Sequence, residues 1–506
     1  MSCENLSTMY SPDITSFRTL SAIGNLIPVT REILADKLTP VSAYERLVAS
    51  GDVRYSFLLE SVEGGERVGR YSILGRNPSK VLRTRGLRAT IDCNGAVEQV
   101  AIPEGEDPLL LIKNMMMQYN YVSRPGLPRF CGGAVGFFSY DVVRFFEDLP
   151  DTNEDPLQAD DACFFFTDTL VIFDHVRHKL ILLCNALVDG NPDIAYQHAV
   201  DKLQALEKSL KTVPSEVRNA PTLQQTAKVQ VEHLSRRDQY EAAVERCKEY
   251  IAAGDAFQIV LSQRFKVAFS APPFDIYRAL RSVNPSPYMF FLDLGNRKLI
   301  GSSPEILVTV TSGTVRLRPI AGSAPRGETP EDDERNEREL LTNEKERAEH
   351  IMLVDLGRND VGRVSHFGTV KVNELMVVEK YSHIMHIVSD VTGRLAEGRD
   401  MYDVLRASFP AGTVSGAPKV RAMQIIEEQE TLRRGFYAGA IGYFGFNGDM
   451  DMAITIRTML VDGQVAYLQS GGGLVADSVP AKEYQECMNK AGALIAAIQR
   501  AEEGLD

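Results

Sequence analysis

The 506-residue sequence has no run of about 18 consecutive apolar residues, the length that would cross a bilayer as a helix. Its first residues, Met1-Ser2-Cys3-Glu4-Asn5-Leu6, lack the basic start and apolar stretch of a secretory signal. Residues 1–20 are therefore expected to be a disordered or extended tail. No C-x-x-C pair occurs among the seven cysteines (Cys3, Cys93, Cys131, Cys163, Cys184, Cys247 and Cys487), which argues against zinc and disulfides and for reduced thiols in a cytoplasm. Basic charge is in deficit. A net charge of −13 argues against nucleic acid as a partner. It does not exclude an anionic ligand, because a divalent cation and one or two arginines in a pocket outweigh a distant, screened field.

With 44% apolar residues, the chain can build two domains or one large intertwined unit. Residues 21–206 are expected to form an N-terminal domain, in which about Ile27 to Phe173 reads mainly as strands and turns, with strand candidates at Phe57–Ser61 and Arg70–Gly75 and a helix over Pro108–Tyr121. Composition shifts to Pro, Gln, Lys and Thr over 207–232, the expected linker between this N-terminal domain and a second domain at 233–506. There Ser235 is placed as the cap of a helix whose stripe is Tyr240, Ala243, Val244, Cys247, Tyr250 and Ile251, with Gly254 as its stop and a strand from Phe257. Gly132–Phe138 and Ala438–Phe444 look alike. Both read as glycine-rich strands where backbones approach closely.

Several segments could carry chemistry. Phe409-Pro410-Ala411-Gly412-Thr413-Val414-Ser415-Gly416-Ala417-Pro418-Lys419 has the composition of a turn that brings backbone against a ligand or another strand. Glu346 and Glu349 form one i,i+3 pair and Glu483 and Glu486 another; on helices each pair shares a face and could supply oxygen ligands to Mg²⁺. Most such pairs are simply solvated. Gly471-Gly472-Gly473 reads as a turn whose N–H groups could converge on an anion, and Pro319–Gly327 as a similar loop. Arg457, on an apolar alternating strand, needs a carboxylate partner, internal or from a ligand. Alternation on a strand sets His386 on the face opposite Met385 and Ile387. Glu305, after Gly301-Ser302-Ser303-Pro304, could act as a general acid if buried.

The order of these segments, with Leu58-Leu59-Glu60-Ser61, Asn284-Pro285-Ser286-Pro287-Tyr288-Met289 and Leu356-Gly357-Arg358-Asn359-Asp360, closely resembles the anthranilate synthase component I family of chorismate-utilising enzymes, from about Pro40 to Leu494. The resemblance implies an α+β fold with large, mostly antiparallel sheets and outer helices. It also implies Mg²⁺-dependent amination of chorismate at C2, loss of the C4 hydroxyl, and elimination of pyruvate to give anthranilate. By resemblance, Glu349 and Glu486 hold Mg²⁺ with Glu346 and Glu483 in support. Arg457 and Tyr437 grip the enolpyruvyl side, and Gly471, Gly472 and Gly473 donate N–H groups. Gly322 and Ser323 contact substrate, Glu305 protonates the departing hydroxyl, and His386 serves pyruvate elimination. Gln258 stands where isochorismate and salicylate synthases have a lysine base, and Ala321 where aminodeoxychorismate synthases often have lysine; both favour ammonia and anthranilate. Aminodeoxychorismate synthase is the nearest rival. Ala324 replaces a usual arginine.

The resemblance also implies tryptophan inhibition at Glu60, Ser61, Asn284, Pro287, Tyr288 and Met289, with Glu60 facing an ammonium and Pro287–Met289 forming a flat wall for indole. The sequence has no Gly-x-Cys-x-Gly nucleophile, so a separate glutamine amidotransferase subunit is expected to supply ammonia, in a heterotetramer.

Overall fold

The computed structural model describes residues 9–61, 69–212, 228–381 and 384–505. Two 12-stranded antiparallel sheets form its body. In the first, Leu26–Leu34, Lys179–Leu187, Thr169–Asp174, Tyr71–Arg76 and Ser56–Glu60 come from the N-terminal half. The path continues through Tyr288–Asp293, Arg297–Ser303, Thr458–Asp462, Val465–Leu474, Gln258–Ala268 and Val231–His233. The second sheet likewise joins halves, where Ala440–Gly445 pairs with Gly133–Phe138.

Alternation along the seam strands feeds two cores. Phe57, Phe290 and Leu292 point into the core shared by the sheets. Leu58, Met289 and Phe291 point to the other face of the first sheet, against the helices Pro40–Ala49, Pro192–Lys211, Pro273–Val283 and Pro480–Glu503. The two look-alike segments are neighbours: Gly136 lies opposite Gly442. A Cβ on Gly136 would come within 2.0 Å of Cys163 O, and one on Gly442 within 1.9 Å of Asp451 O.

The ends of the expected domains shift. Within the expected N-terminal tail, Ile14–Leu20 is a helix with Asp13 accepting from the Ser16 N–H, anchored by the buried Phe17; residues 1–8 lie outside the described residues. The expected linker from 207 is helical through Lys211, because Leu203, Leu206 and Leu210 continue a buried stripe. Residues 213–227 of it lie outside the described residues, and Val231–His233 is already a sheet strand. The helix Arg237–Ala253 takes Arg236, not Ser235, as its N-cap, and Gly254 ends it at φ +85°. Among the described residues no helix is long and apolar enough to cross a membrane, and the described cysteines are free thiols.

Candidate active site

A cleft of about 940 Å³ opens where the first sheet, the Ile320–Pro325 and Ile384–Arg394 strands, and the helices Glu344–Gly362 and Pro480–Glu503 meet. It is lined by Gln258, Glu305, Gly322, Ser323, Glu346, Glu349, His386, Tyr437, Arg457, Gly471, Gly473, Glu483 and Glu486, so residues spread over more than two hundred positions converge.

Glu349 accepts a hydrogen bond from Gln258 Nε2 at 2.9 Å. Across the cleft, a Cβ on Gly472 would lie 3.4 Å from Glu483 Oε2 and 3.6 Å from Glu486 Oε1. Burial first, then repulsion from Glu349 and Glu486, raises the Glu346 pKa; burial also raises that of Glu483, with Glu486 adding to it and the Ser478 hydroxyl opposing. Lys490 holds Glu486 at 2.6 Å and donates to Gly471 O at 3.0 Å. No group of three or more metal-ligating side chains is closed around one point among the described residues. All four carboxylates line the cleft and are hard oxygen donors, the kind Mg²⁺ takes, one or two at a time, alongside waters and substrate oxygens. The like-charge repulsion that helps raise Glu346 and Glu483 is of the kind a divalent cation relieves.

The three glycines are not a turn. They lie inside the strand Val465–Leu474, in register with Val260, Leu261 and Ser262. They are glycines because neighbours come close. A Cβ on Gly471 would meet Leu261 O at 2.6 Å and Tyr437 OH at 2.8 Å, and one on Gly473 would meet Gln258 Nε2 at 2.6 Å. The Phe409–Lys419 segment does bring backbone against a strand: Gly416–Ala417 pairs with Gln258–Ile259, and Gly416 sits at φ +127° with no room for a Cβ beside Gln258 O.

Arg457 is not on a strand either. It occupies the break between Met450–Ile454 and Thr458–Asp462 with φ +50°, a left-handed backbone that is uncommon outside glycine. Its guanidinium donates to Lys490 O at 3.3 Å, makes no ion pair among the described residues, and feels the charge of Glu486. His386 Nδ1 donates to Gly322 O at 3.3 Å; burial, helped by the charge of Arg457, lowers its pKa and keeps the ring neutral at pH 7. Met385 and Ile387 are buried on the other face as alternation required. Ser323 faces the cleft, whereas Ala324 packs towards Leu340, Met385 and Ile387, so the missing guanidinium does not leave a gap in the cleft wall. Burial pushes the Glu305 carboxyl up to about 7, with the Thr413 hydroxyl and the charge of Lys490 pulling the other way.

Several of the expected inhibitor residues already have partners within the chain. Glu60 is buried and already held by Tyr277 OH at 2.6 Å and Arg281 Nε at 2.8 Å. Tyr288 and Met289 point to opposite faces of their strand, so they cannot both line one side of an indole. Tyr288 OH donates to Asp451, and Asn284 Nδ2 donates to Ser302 Oγ. Asn284 and Pro287 line the cleft itself, and the Ser61 hydroxyl is buried without a partner among the described residues.

Residues 54–496 match the chorismate binding enzyme family. The chain belongs to that family. Among its relatives are the anthranilate synthase component 1 of Acetivibrio thermocellus, 47% identical over 98% of this chain and 100% of the relative, and that of Aquifex aeolicus, 48% identical over 96% and 97%. The crystal structure of anthranilate synthase component I from Streptococcus pneumoniae superposes with a TM-score of 0.75 at 39% identity, covering 92% of this chain and 99% of that one. The menaquinone-specific isochorismate synthase of Escherichia coli, at 18% identity and a TM-score of 0.69, shares the fold. Within this chorismate-binding chain, sequence reasoning missed Lys490 and the proximity of Thr413 to Glu305. The i,i+4 spacing of Lys490 from Glu486 was the available signal.

Proposed function

We propose that this chorismate-binding enzyme is the aminating component of an anthranilate synthase. It would join ammonia to C2 of chorismate with loss of the C4 hydroxyl, then eliminate pyruvate, as the first step of tryptophan synthesis in the cytoplasm. The observation that carries the reading is Gln258, whose amide is committed to Glu349, in a cleft where burial also pushes the Glu305 carboxyl up to about 7. A carboxyl near 7 can protonate a leaving hydroxide at neutral pH. An amide cannot deprotonate water, so a nucleophile that needs no base, ammonia, is favoured.

Glu349 and Glu486 would hold Mg²⁺, with Glu346 and Glu483 behind them. Bound there, the ion would neutralise the ring carboxylate while charge moves through the ring. Lys490 must then release Glu486. Arg457 and Tyr437 orient the enolpyruvyl group, and neutral His386 is placed to accept a proton during elimination. The thiols of Cys163 and Cys184 are pushed up to about 12 by burial, so neither is a glutaminase nucleophile. Ammonia would come from a glutamine amidotransferase subunit, in a heterotetramer.

Feedback by tryptophan would act through one continuous piece of chain. Asn284–Pro287 lines the cleft and runs directly into Tyr288–Asp293, which pairs with Ser56–Glu60. A ligand ammonium at Glu60 has to share the carboxylate with Arg281 or displace it. The chain has no tryptophan of its own, so added tryptophan is the only indole fluorophore and its binding can be read directly.

Incubation with chorismate, Mg²⁺ and ammonium, with and without chelator, tests the whole reading. Fluorescent anthranilate should form, and only with metal. An aminated chorismate that becomes aromatic only after a lyase is added would instead favour the aminodeoxychorismate synthase reaction.

A further inference from the structure

His350 is buried one residue past Glu349, and the proposed reaction gives it no part. It lies where the helix Glu344–Gly362 packs on the strands Ile320–Pro325 and Ile384–Arg394. Its Nε2 is 2.6 Å from Ser389 Oγ. Its Nδ1 lies beside the Ala321 carbonyl and makes no well-formed hydrogen bond among the described residues. Ser389 Oγ also accepts the Met376 N–H at 3.0 Å. Neither His350 nor Ser389 lines the cleft.

Both strands that flank Ile384–Arg394 here are irregular. On one edge, Ala321 is in register with Ile387 and Ser323 with His386, so Gly322 is the extra residue of a bulge, at φ +78°. On the other edge, Lys371–Lys380 shifts register between Glu374 and Val377, with Met376 at φ +56°, a backbone uncommon outside glycine. Bulges re-aim the groups around them, and such a backbone persists only where its surroundings hold it. His350 and Ser389 join the two sites: one buried line of contacts runs from the Met376 N–H through the Ser389 hydroxyl and the imidazole to Ala321. The helix follows the first bulge closely. A Cβ on Gly322 would lie 3.1 Å from Glu346 Oε2, one turn before His350, and a Cβ on Gly357, two turns after it, would lie 3.4 Å from Pro319 Cγ.

Gly322 is where this placement reaches the chemistry. Its carbonyl accepts from His386 Nδ1 at 3.3 Å, and the ring otherwise meets Tyr381 edge-on, 5.8 Å between centroids. A hydrogen on Nδ1 leaves the lone pair on Nε2, the form a base needs. In the elimination step a base takes the hydrogen on the amine-bearing C2, and that electron pair completes the aromatic ring. The C3–O bond breaks with its pair and releases the enolate of pyruvate, which is then protonated at its methylene carbon. We propose that His350 is a positioning residue: it backs the Gly322 bulge and so holds His386 in the tautomer and orientation that elimination requires. Amination draws on Glu305 and Gln258, which stand on other elements, so the effect falls on the second step. This rests on the reading of His386 as the base of that step.

The test uses His350→Leu and Ser389→Ala, each with chorismate, Mg²⁺ and saturating ammonium, and thermal unfolding to confirm folding; should one variant not fold, the other is read alone. Chorismate consumed and anthranilate formed are followed together by chromatography, alongside His386→Gln. In the unaltered protein the two rates should match. In either variant anthranilate formation should fall about ten- to hundredfold while chorismate consumption and chorismate KM stay within about threefold, with an aminated product that keeps its enolpyruvyl group making up the difference. A merely structural role would lower both rates together. That result would overturn the proposal, as would matched rates like those of the unaltered protein in a folded variant. If His386→Gln makes anthranilate normally, the reading of the base has failed. If His386→Gln releases the aminated product while the other two do not, only the positioning role has failed.

Discussion

On the proposed reading, Glu305 is chemically decisive while its sequence context is ordinary. A glutamate after Ser-Ser-Pro reads as a turn carboxylate; partial burial at the cleft is what pushes its carboxyl up to about 7. With a pKa of about 7, it should make kcat/KM for chorismate fall tenfold per pH unit above about 7 when free ammonia is held constant. Glu305→Gln should abolish that limb and lower kcat by about 10²–10⁴-fold. The same shift acts on stability. A carboxyl whose pKa rises from 4.5 to about 7 on folding stabilises fully below 4.5 and loses that contribution as pH rises through 7. Glu305→Gln should therefore flatten the decline of Tm over that interval. Arg457 makes a separate demand. On the proposed reading, a guanidinium with no ion pair among the described residues offers a planar, two-pronged donor to a ligand carboxylate. Arg457→Lys keeps the charge and loses the fork, so chorismate KM should rise about tenfold or more while unfolding is nearly unchanged.

Among elements, the glycine strand Val465–Leu474 separates what was legible in the sequence from what was not. Its composition announced close approach, and at Gly471 and Gly473 a neighbour does lie 2.6 Å from a hypothetical Cβ. Whether that approach came from a turn or a strand depended on Gln258–Ala268, a partner some two hundred residues away, which no local pattern reveals. The helix Arg237–Ala253 was legible because its period and its glycine stop are local. Its cap was misplaced by one residue, the usual uncertainty at helix ends. The Glu-x-x-Glu pairs were legible as single helical faces, but that the two faces line one cleft depends on long-range folding that no local pattern reveals. Two substitutions separate fold from chemistry here. Gly471→Ala drives a methyl onto the Leu261 carbonyl, which is backbone and cannot yield, and should cost about 1–3 kcal/mol in denaturant unfolding. Gly473→Ala meets only the tip of Gln258, which can swing away. Stability should change by less than about 1 kcal/mol. The displaced amide would leave Glu349, however, and Mn²⁺ binding followed by electron paramagnetic resonance should weaken with turnover.

At the scale of the whole molecule, the change of composition near residue 207 marks a boundary in sequence but not in packing. Each sheet is completed at one strand pair drawn from opposite sides of that boundary: Ser56–Glu60 with Tyr288–Asp293, and Gly133–Phe138 with Ala440–Gly445. Cutting the contacts there would expose two sheet edges on each half. It would also strip Phe57, Phe290, Ala440 and Phe444 from a core to which both halves contribute. Exposed flat edges of this kind pair with whatever strand they meet. A chain opened between residues 212 and 228, outside every described strand and helix, leaves these pairs intact if both pieces are present. Expressed alone, residues 1–212 should therefore aggregate, and residues 228–506 should fare no better. Co-expressed, the two pieces should assemble into one particle that unfolds in a single transition and regains the chorismate reaction. Independent folding of either piece, seen as a cooperative transition of its own, would mean that the seam is a docked interface between two finished domains and not the place where one core is built.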